Sequence, residues 1–295
     1  MANDAIPTYG GQAVIEGVMM RGAQAVAIAM RSPDDTIELH TEKLGRVYQS
    51  KAAKTPFLRG VVLLWDALVL GMRALTISAN MQVDEDEELE GWGLYLTLAI
   101  SLGIGVGLFF LIPATAGHFI GETLGIEAWA GNLIEGIIRL GILIGYIWGI
   151  GFMDDIQRVY GYHGAEHKTI NAFEGGAELT PTEVGKYPLE HPRCGTAFLL
   201  TVVVFSIVFF TLLGPMALLP RLGVQLLLIP VLASFAYEFI RWTARHLDSP
   251  FVRWIIQPNL ALQRLTTREP DEGMLEVAIA AFKEMKRMEE LTETG

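Results

Sequence analysis

The chain has 295 residues, 51% of them hydrophobic and only 19% charged, an apolar surplus that a soluble enzyme of this length has no interior to bury. Its formal charge of −11, from 33 acids against 22 bases, excludes a basic nucleic-acid footprint, so no nucleic acid is expected as a partner. Cys194 is the sole cysteine, which rules out an intrachain disulfide and leaves a packed thiol, a ligand or a nucleophile.

Residues 1–7 carry no basic stretch followed by an apolar one, so no cleavable secretory signal is expected and insertion into a membrane would rely on internal segments. Residues 1–56 read as a cytosolic segment. Within it the run GGQAVIEGVMMRG at 10–22 sets Glu16 and Arg21 among glycines, a pattern for backbone that approaches something closely. Glu16 can complete a metal site, orient a ligand, or simply be a salt-bridged turn acid; Arg21 can hold a phosphate or carboxylate. Residues 25–31 and 36–41, around Ser32-Pro33-Asp34-Asp35, predict a β-hairpin with a four-residue loop.

In the apolar segment 57–81, Arg59, Asp66 and Arg73 recur every seven residues and so share one helix face. A charge at the bilayer centre costs about 2.5–3.5 kcal/mol, so an interfacial or re-entrant helix is expected in preference to a span. Six acids follow within 84–90. Four stretches, 92–117, 129–153, 195–219 and 222–242, are long and apolar enough to cross a hydrocarbon core, which needs about 20 helical residues. In the second, Gly141, Gly145 and Gly149 form a stripe expected to be a helix-packing seam, within the chain or between two copies. Glu135 and Arg139, four apart on the same stretch, either pair with each other or mark an intramembrane site.

Loop charge sets the expected orientation. Residues 1–56 hold six Lys/Arg, 154–194 four and 243–295 seven, whereas 118–128 hold none, so four spans with both termini in the cytosol satisfy every segment. The units expected are the segment 1–56, the interfacial helix 57–81, helix pairs at 92–153 and 195–242, a cytosolic loop at 154–194 and a tail at 243–295 with an amphipathic helix at 271–290. The fold class is predominantly α: a polytopic membrane helix bundle with a small cytosolic α+β portion. Its location would be the cytoplasmic membrane.

Three of the six histidines, at 163, 167 and 191, fall in the loop 154–194. His163 and His167 are one helical turn apart with Glu166 between them, the H-x-x-E-H order in which two imidazoles hold zinc and the carboxylate activates water. A third ligand is needed, with Glu174, Glu190, His191 and Cys194 as candidates and His191-Pro192-Arg193-Cys194 the most suggestive. Against this, five-residue patterns arise by chance, and Gly161 and Gly164 weaken the helix that the geometry requires. Lys168, Arg193, Arg245 and His246 would share the inner surface and suit anionic headgroups or an anionic substrate. Glu238 and Arg241 read as interface anchors.

The run at 10–22, YGYHGAEHKTINAFE at 160–174, HPRCGTAF at 191–198 and LQRLTTREP at 262–270 together resemble the YqhQ-like family of bacterial membrane proteins, a domain of unknown function whose members are often described as predicted metal-dependent enzymes. The resemblance covers about residues 8–272. Its motif positions match here at Glu16, Arg21, His163, Glu166, His167, His191 and Cys194, and it implies an inner-membrane location without a substrate. The functional expectation is a membrane-embedded zinc-dependent hydrolase acting on a lipid headgroup or peptide at the cytosolic boundary. Its metal would sit on His163, His167 and His191 or Cys194, with Glu166 as base and Glu16 and Arg21 assisting. The alternative is a non-enzymatic helix bundle or assembly factor, homo-oligomeric or not, with a structural ion or none.

Overall fold

The computed structural model describes residues 9–45, 50–83, 91–214 and 216–293; residues 1–7 and the acidic run at 84–90 lie outside them. Four antiparallel strands follow one another as a meander: β1 (Gly10–Val14), β2 (Gly17–Arg21), β3 (Ala25–Arg31) and β4 (Ile37–Lys43). The register sets Val14 opposite Gly17, Met19 opposite Ile28 and Ile28 opposite His40. β3 and β4 are the hairpin that the turn residues indicate, and the glycine-rich run supplies two further strands that composition alone did not reveal.

Strand side chains alternate between faces, and here both faces are covered. Val18, Met20, Ala27 and Ala29 pack against α6 (Asp154–Glu174) and α12 (Glu272–Glu293). Met19, Val26, Ile28 and Met30 pack against Ala74 and its neighbours on α2 (Leu58–Met81). That double burial is why β3 reads as an unbroken apolar run.

After α1 (Lys51–Lys54), α2 does two jobs. Its second half covers the sheet, with Arg73 bonded to Glu42 at 2.9 Å; its first half leans on α9 (Leu218–Arg245), where Arg59 pairs with Glu238. A methyl at Gly60 would sit 2.6 Å from Ser234 Cα. The Asp66 side chain lies outside the description, and the charged-face reading of 57–81 rests on Arg59 and Arg73 alone.

The fold is mostly helical, and among the described residues four helices are long and apolar enough to cross a membrane: Leu58–Met81, Gly91–Leu124, Ala128–Ile150 and Leu218–Arg245. The set differs from the four stretches read from the sequence. The stretch expected at 195–219 holds a shorter apolar helix, the 17-residue α8 (Gly195–Thr211), while Leu58–Met81 forms a continuous helix of 24 residues. The 91–124 helix comprises α3 (Gly91–Val106), a π-helical turn at Gly107–Leu111 and α4 (Ile112–Leu124). Pro113 has no N–H to give the Phe109 carbonyl four residues back, a sufficient reason for the ladder to change there. Arg139 of α5 (Ala128–Ile150) donates its Nε to that oxygen at 2.9 Å instead.

The close helix contact lies elsewhere than the stripe at 141, 145 and 149. Nothing comes within 4 Å of where a Cβ would stand at any of those three glycines among the described residues. The seam is Gly117 against Glu135 and Gly131, and Gly136 against Ile207, where methyls would meet Glu135 Cβ at 2.8 Å and Ile207 Cγ1 at 2.6 Å. An intramolecular seam on the stripe is therefore corrected: spacing identifies a face but not whether a neighbour lies on it. Short helices α7 (Pro181–Val184), α10 (Pro250–Ile255) and α11 (Gln257–Thr266) complete the chain.

Candidate metal centre

The site is built on α6. Asp154 and Asp155 occupy its first turn, where the helix dipole favours acids, and Gly175 caps its end. Gly161 and Gly164, which look like helix breakers, are points of close approach. A methyl at 161 would press on Met274 Sδ, and one at 164 would land on the Arg268 carbonyl oxygen. These glycines let α12 and the chain leading to it lie tight against α6.

One turn apart, His163 and His167 meet edge to face with ring centroids 4.4 Å apart. Each Nδ1 faces a backbone carbonyl, His163 toward Thr266 at 2.9 Å and His167 toward Leu189 at 2.5 Å. A carbonyl only accepts, so both Nδ1 atoms carry a proton and a metal would be met through Nε2, in place of any proton held there, the arrangement that orients metal-ligating imidazoles. Cys194, at the N-cap of α8, brings its Sγ to 3.2 Å from His163 Nε2. Ligand atoms of His163, His167 and Cys194 all lie within 4.8 Å of one another. The edges of a tetrahedral zinc site with N and S ligands are about 3.5 Å, from bond lengths of about 2.0–2.3 Å, so the set fits an ion with small adjustments. His167 Nε2 is enclosed with no hydrogen-bond partner, as is Glu166 Oε2.

Electrostatics follow the clustering. Burial opposes charge on His163, yet the Cys194 sulfur, Glu166 and the Thr266 carbonyl together outweigh it and lift the imidazole to about 9. Burial would raise the Cys194 thiol, but His163 and His167 hold it well below its ordinary value. Glu166 is pushed up by burial against the pull of both histidines. Its carboxylate accepts the Gly11 N–H, and a methyl at Gly11 would sit 2.8 Å from Glu166 Cγ. This is the close approach that the glycine-rich run foreshadows, one residue of β1 wedged against the helix that carries the histidines.

The remaining candidates lie apart from this group. His191 is buried, its ring 5.7 Å from that of His167, with Nε2 turned toward Arg193 at 3.5 Å and Glu174 at 3.8 Å. Glu174 is paired with Arg193, and Glu190 with Arg264 at 3.0 Å. Glu16, at φ 50° in the β1–β2 turn, accepts both Arg158 bonds at 2.5 Å and the Tyr162 hydroxyl at 3.2 Å. Those bonds hold its carboxyl below the usual range against burial. Arg21 ends β2 opposite Gly10 and Val26. Lys168 is buried with Nζ on the Gly185 carbonyl at 2.8 Å and Glu269 at 2.6 Å, so it is occupied within the fold. His246 faces the Trp242 carbonyl at 2.8 Å.

Sequence reasoning missed the residues that hold the candidate ligands in place. Gln263 bonds both the N–H and the C=O of His191 at 2.9 Å, and Asn171 donates to the Pro188 and Glu190 carbonyls, strapping the segment before Cys194 onto α6 and α11. Gln263 and Thr266 belong to LQRLTTREP, so the signal was present as a motif without an assigned task.

A family model described as "Protein of unknown function (DUF1385)" matches residues 55–288. The chain is 34% identical to "Uncharacterized protein YqhQ" of Bacillus subtilis (strain 168), over 97% of this chain and 95% of that one. No solved structure matches. Neither description names a metal, a reaction or a substrate.

Proposed function

The chain belongs to the DUF1385 family, and from that premise we propose that it is a membrane-embedded, metal-dependent hydrolase of the cytoplasmic membrane, both termini cytosolic, acting on a lipid headgroup or peptide at the inner boundary. The observation that carries the reading is the convergence of His163 Nε2, His167 Nε2 and Cys194 Sγ, with one imidazole nitrogen and one carboxylate oxygen enclosed and unpartnered. A buried polar atom without a partner costs about 1–3 kcal/mol; a divalent cation between these atoms removes that cost for His167.

His163, His167 and Cys194 would hold the ion, leaving a fourth position open. Zinc there supplies Lewis acidity and makes water ionisable near pH 7. The chain's own residues do the rest. The Thr266 and Leu189 carbonyls fix the imidazole tautomers. Glu166, raised by burial and held by the Gly11 N–H, is suited to take a proton and return it. His163 is the least buried of the three ligand residues and marks the side of approach.

A second reading, a purely structural ion with Glu166 as fourth ligand, is favoured by the burial of His167 and Cys194 at 1% and 5% exposure. Glu166→Gln separates the two. In phosphatidylglycerol vesicles, compared with wild type by mass spectrometry of lipid and added peptide products, the catalytic reading expects turnover lost and metal kept. Loss of metal in Glu166→Gln, or no product from wild type in either arm, contradicts it.

A further inference from the structure

Away from the histidines, a buried cluster of charged side chains sits within the apolar bundle. Glu135 and Arg139 of α5 and Arg221 and Gln225 of α9 are all buried. Glu135 is saturated: Oε1 accepts from Arg139 Nη2 at 2.6 Å and from Gln225 Nε2 at 2.7 Å, and Oε2 accepts from Arg221. Arg139 also spends Nε on the Phe109 carbonyl and lies over the rings of Phe110 and Phe210 at 5.4 and 5.3 Å. Two guanidiniums thus share one carboxylate, and the cluster carries one surplus positive charge.

The surplus coincides with an unused donor. Arg139 is 3% exposed, and its Nη1 is enclosed with no acceptor. An uncompensated charge in apolar surroundings is strongly unfavourable unless an anion joins it. Arg221 is the fourth residue of α9 and keeps slight exposure, so the cluster is reached from that helix end. Arg139 stands midway along α5, but it lies over Phe210, next to the last residue of α8 and fifteen residues, about 22 Å of helix rise, from the start of that helix at Gly195, which sets the cluster away from Cys194.

We propose that Arg139 Nη1 and Arg221 bind a singly charged phosphate oxyanion at this end of the bundle, in a site independent of the metal centre. Guanidinium forks favour oxyanions over spherical ions. The phosphate can come from a lipid headgroup or from solution, and the test distinguishes these sources. Full-length protein in neutral detergent is titrated with phosphatidylglycerol or with inorganic phosphate, against sodium chloride at matched ionic strength. Thermal unfolding and native mass spectrometry are the readouts.

The expected result is one bound phosphate species per chain and a rise in unfolding midpoint that chloride does not reproduce. Response to phosphatidylglycerol alone assigns a headgroup; response to inorganic phosphate assigns the free ion. Arg139→Gln and Arg221→Gln should weaken binding by roughly tenfold or more, the worth of a charge-assisted hydrogen bond. No midpoint shift in wild type with either ligand overturns the proposal whether or not the variants fold, as does an undiminished shift in Arg139→Gln.

Discussion

Gly164→Ala tests whether the glycines of α6 are contact points. In a helix interior the added methyl should stabilise by about 1 kcal/mol when nothing opposes it. Here it would fall on the Arg268 carbonyl oxygen and 2.8 Å from Leu189 Cδ2. The leucine methyl can swing aside. The carbonyl cannot, because the Arg268 N–H is tied to the Tyr160 carbonyl at 2.9 Å. Overpacking costs about 1–3 kcal/mol, and a clash with backbone belongs at the upper end, so the net loss should be about 2 kcal/mol. The damage would reach the proposed metal centre, since Leu189 and nearby Thr266 supply the carbonyls that orient His167 and His163; zinc affinity should fall by roughly 10–100-fold. Thermal unfolding in detergent and chelator competition measure the two effects. A variant that gains stability and keeps its zinc affinity would refute the reasoning.

Three further outcomes are expected. His163→Ala, His167→Ala and Cys194→Ser should each abolish stoichiometric zinc while His191→Ala retains it, by elemental analysis of purified protein; loss of zinc only in His191→Ala would move the centre. Gly117→Ala, facing Glu135, should destabilise by about 1–3 kcal/mol, whereas Gly145→Ala, in open surroundings, should be neutral or gain up to about 1 kcal/mol; thermal unfolding ranks them, and the reverse order would restore the stripe as the seam. Glu16→Gln should cost about 1 kcal/mol at neutral pH. The Arg158 hydrogen bonds hold the folded carboxyl below its ordinary 4.5, so their contribution is present above that value and is lost as pH falls through the depressed one. The gap between wild type and variant should then close in acid, and a gap that persists there would mean packing, not charge.

What the sequence made legible was local. Turn residues and periodicity located β3, β4 and α6, because each is dictated by neighbours within a few positions. The i, i+4 spacing of His163 and His167 put both rings on one face, and that geometry holds whatever surrounds the helix. Choosing a third residue between His191 and Cys194 was beyond spacing, since it depends on how Gln263, from a helix some 70 residues later, grips the backbone at 191. The same limit applied to the glycines. At 164 and 117 a partner from a distant segment occupies the missing side chain's place; at 145 none does, though the motif at 141–149 is the more regular. The apolar run read at 195–219 is helical only over Gly195–Thr211, because composition sets hydropathy but not where a helix is capped.

The central claim is the three-residue centre on α6 and the start of α8, and X-ray absorption on the purified, metal-loaded protein addresses it most directly. One ion per chain should appear, with two nitrogen neighbours at about 2.0–2.1 Å and one sulfur at about 2.3 Å. A protein that takes up no ion, or one whose ion has no sulfur neighbour, would contradict the account.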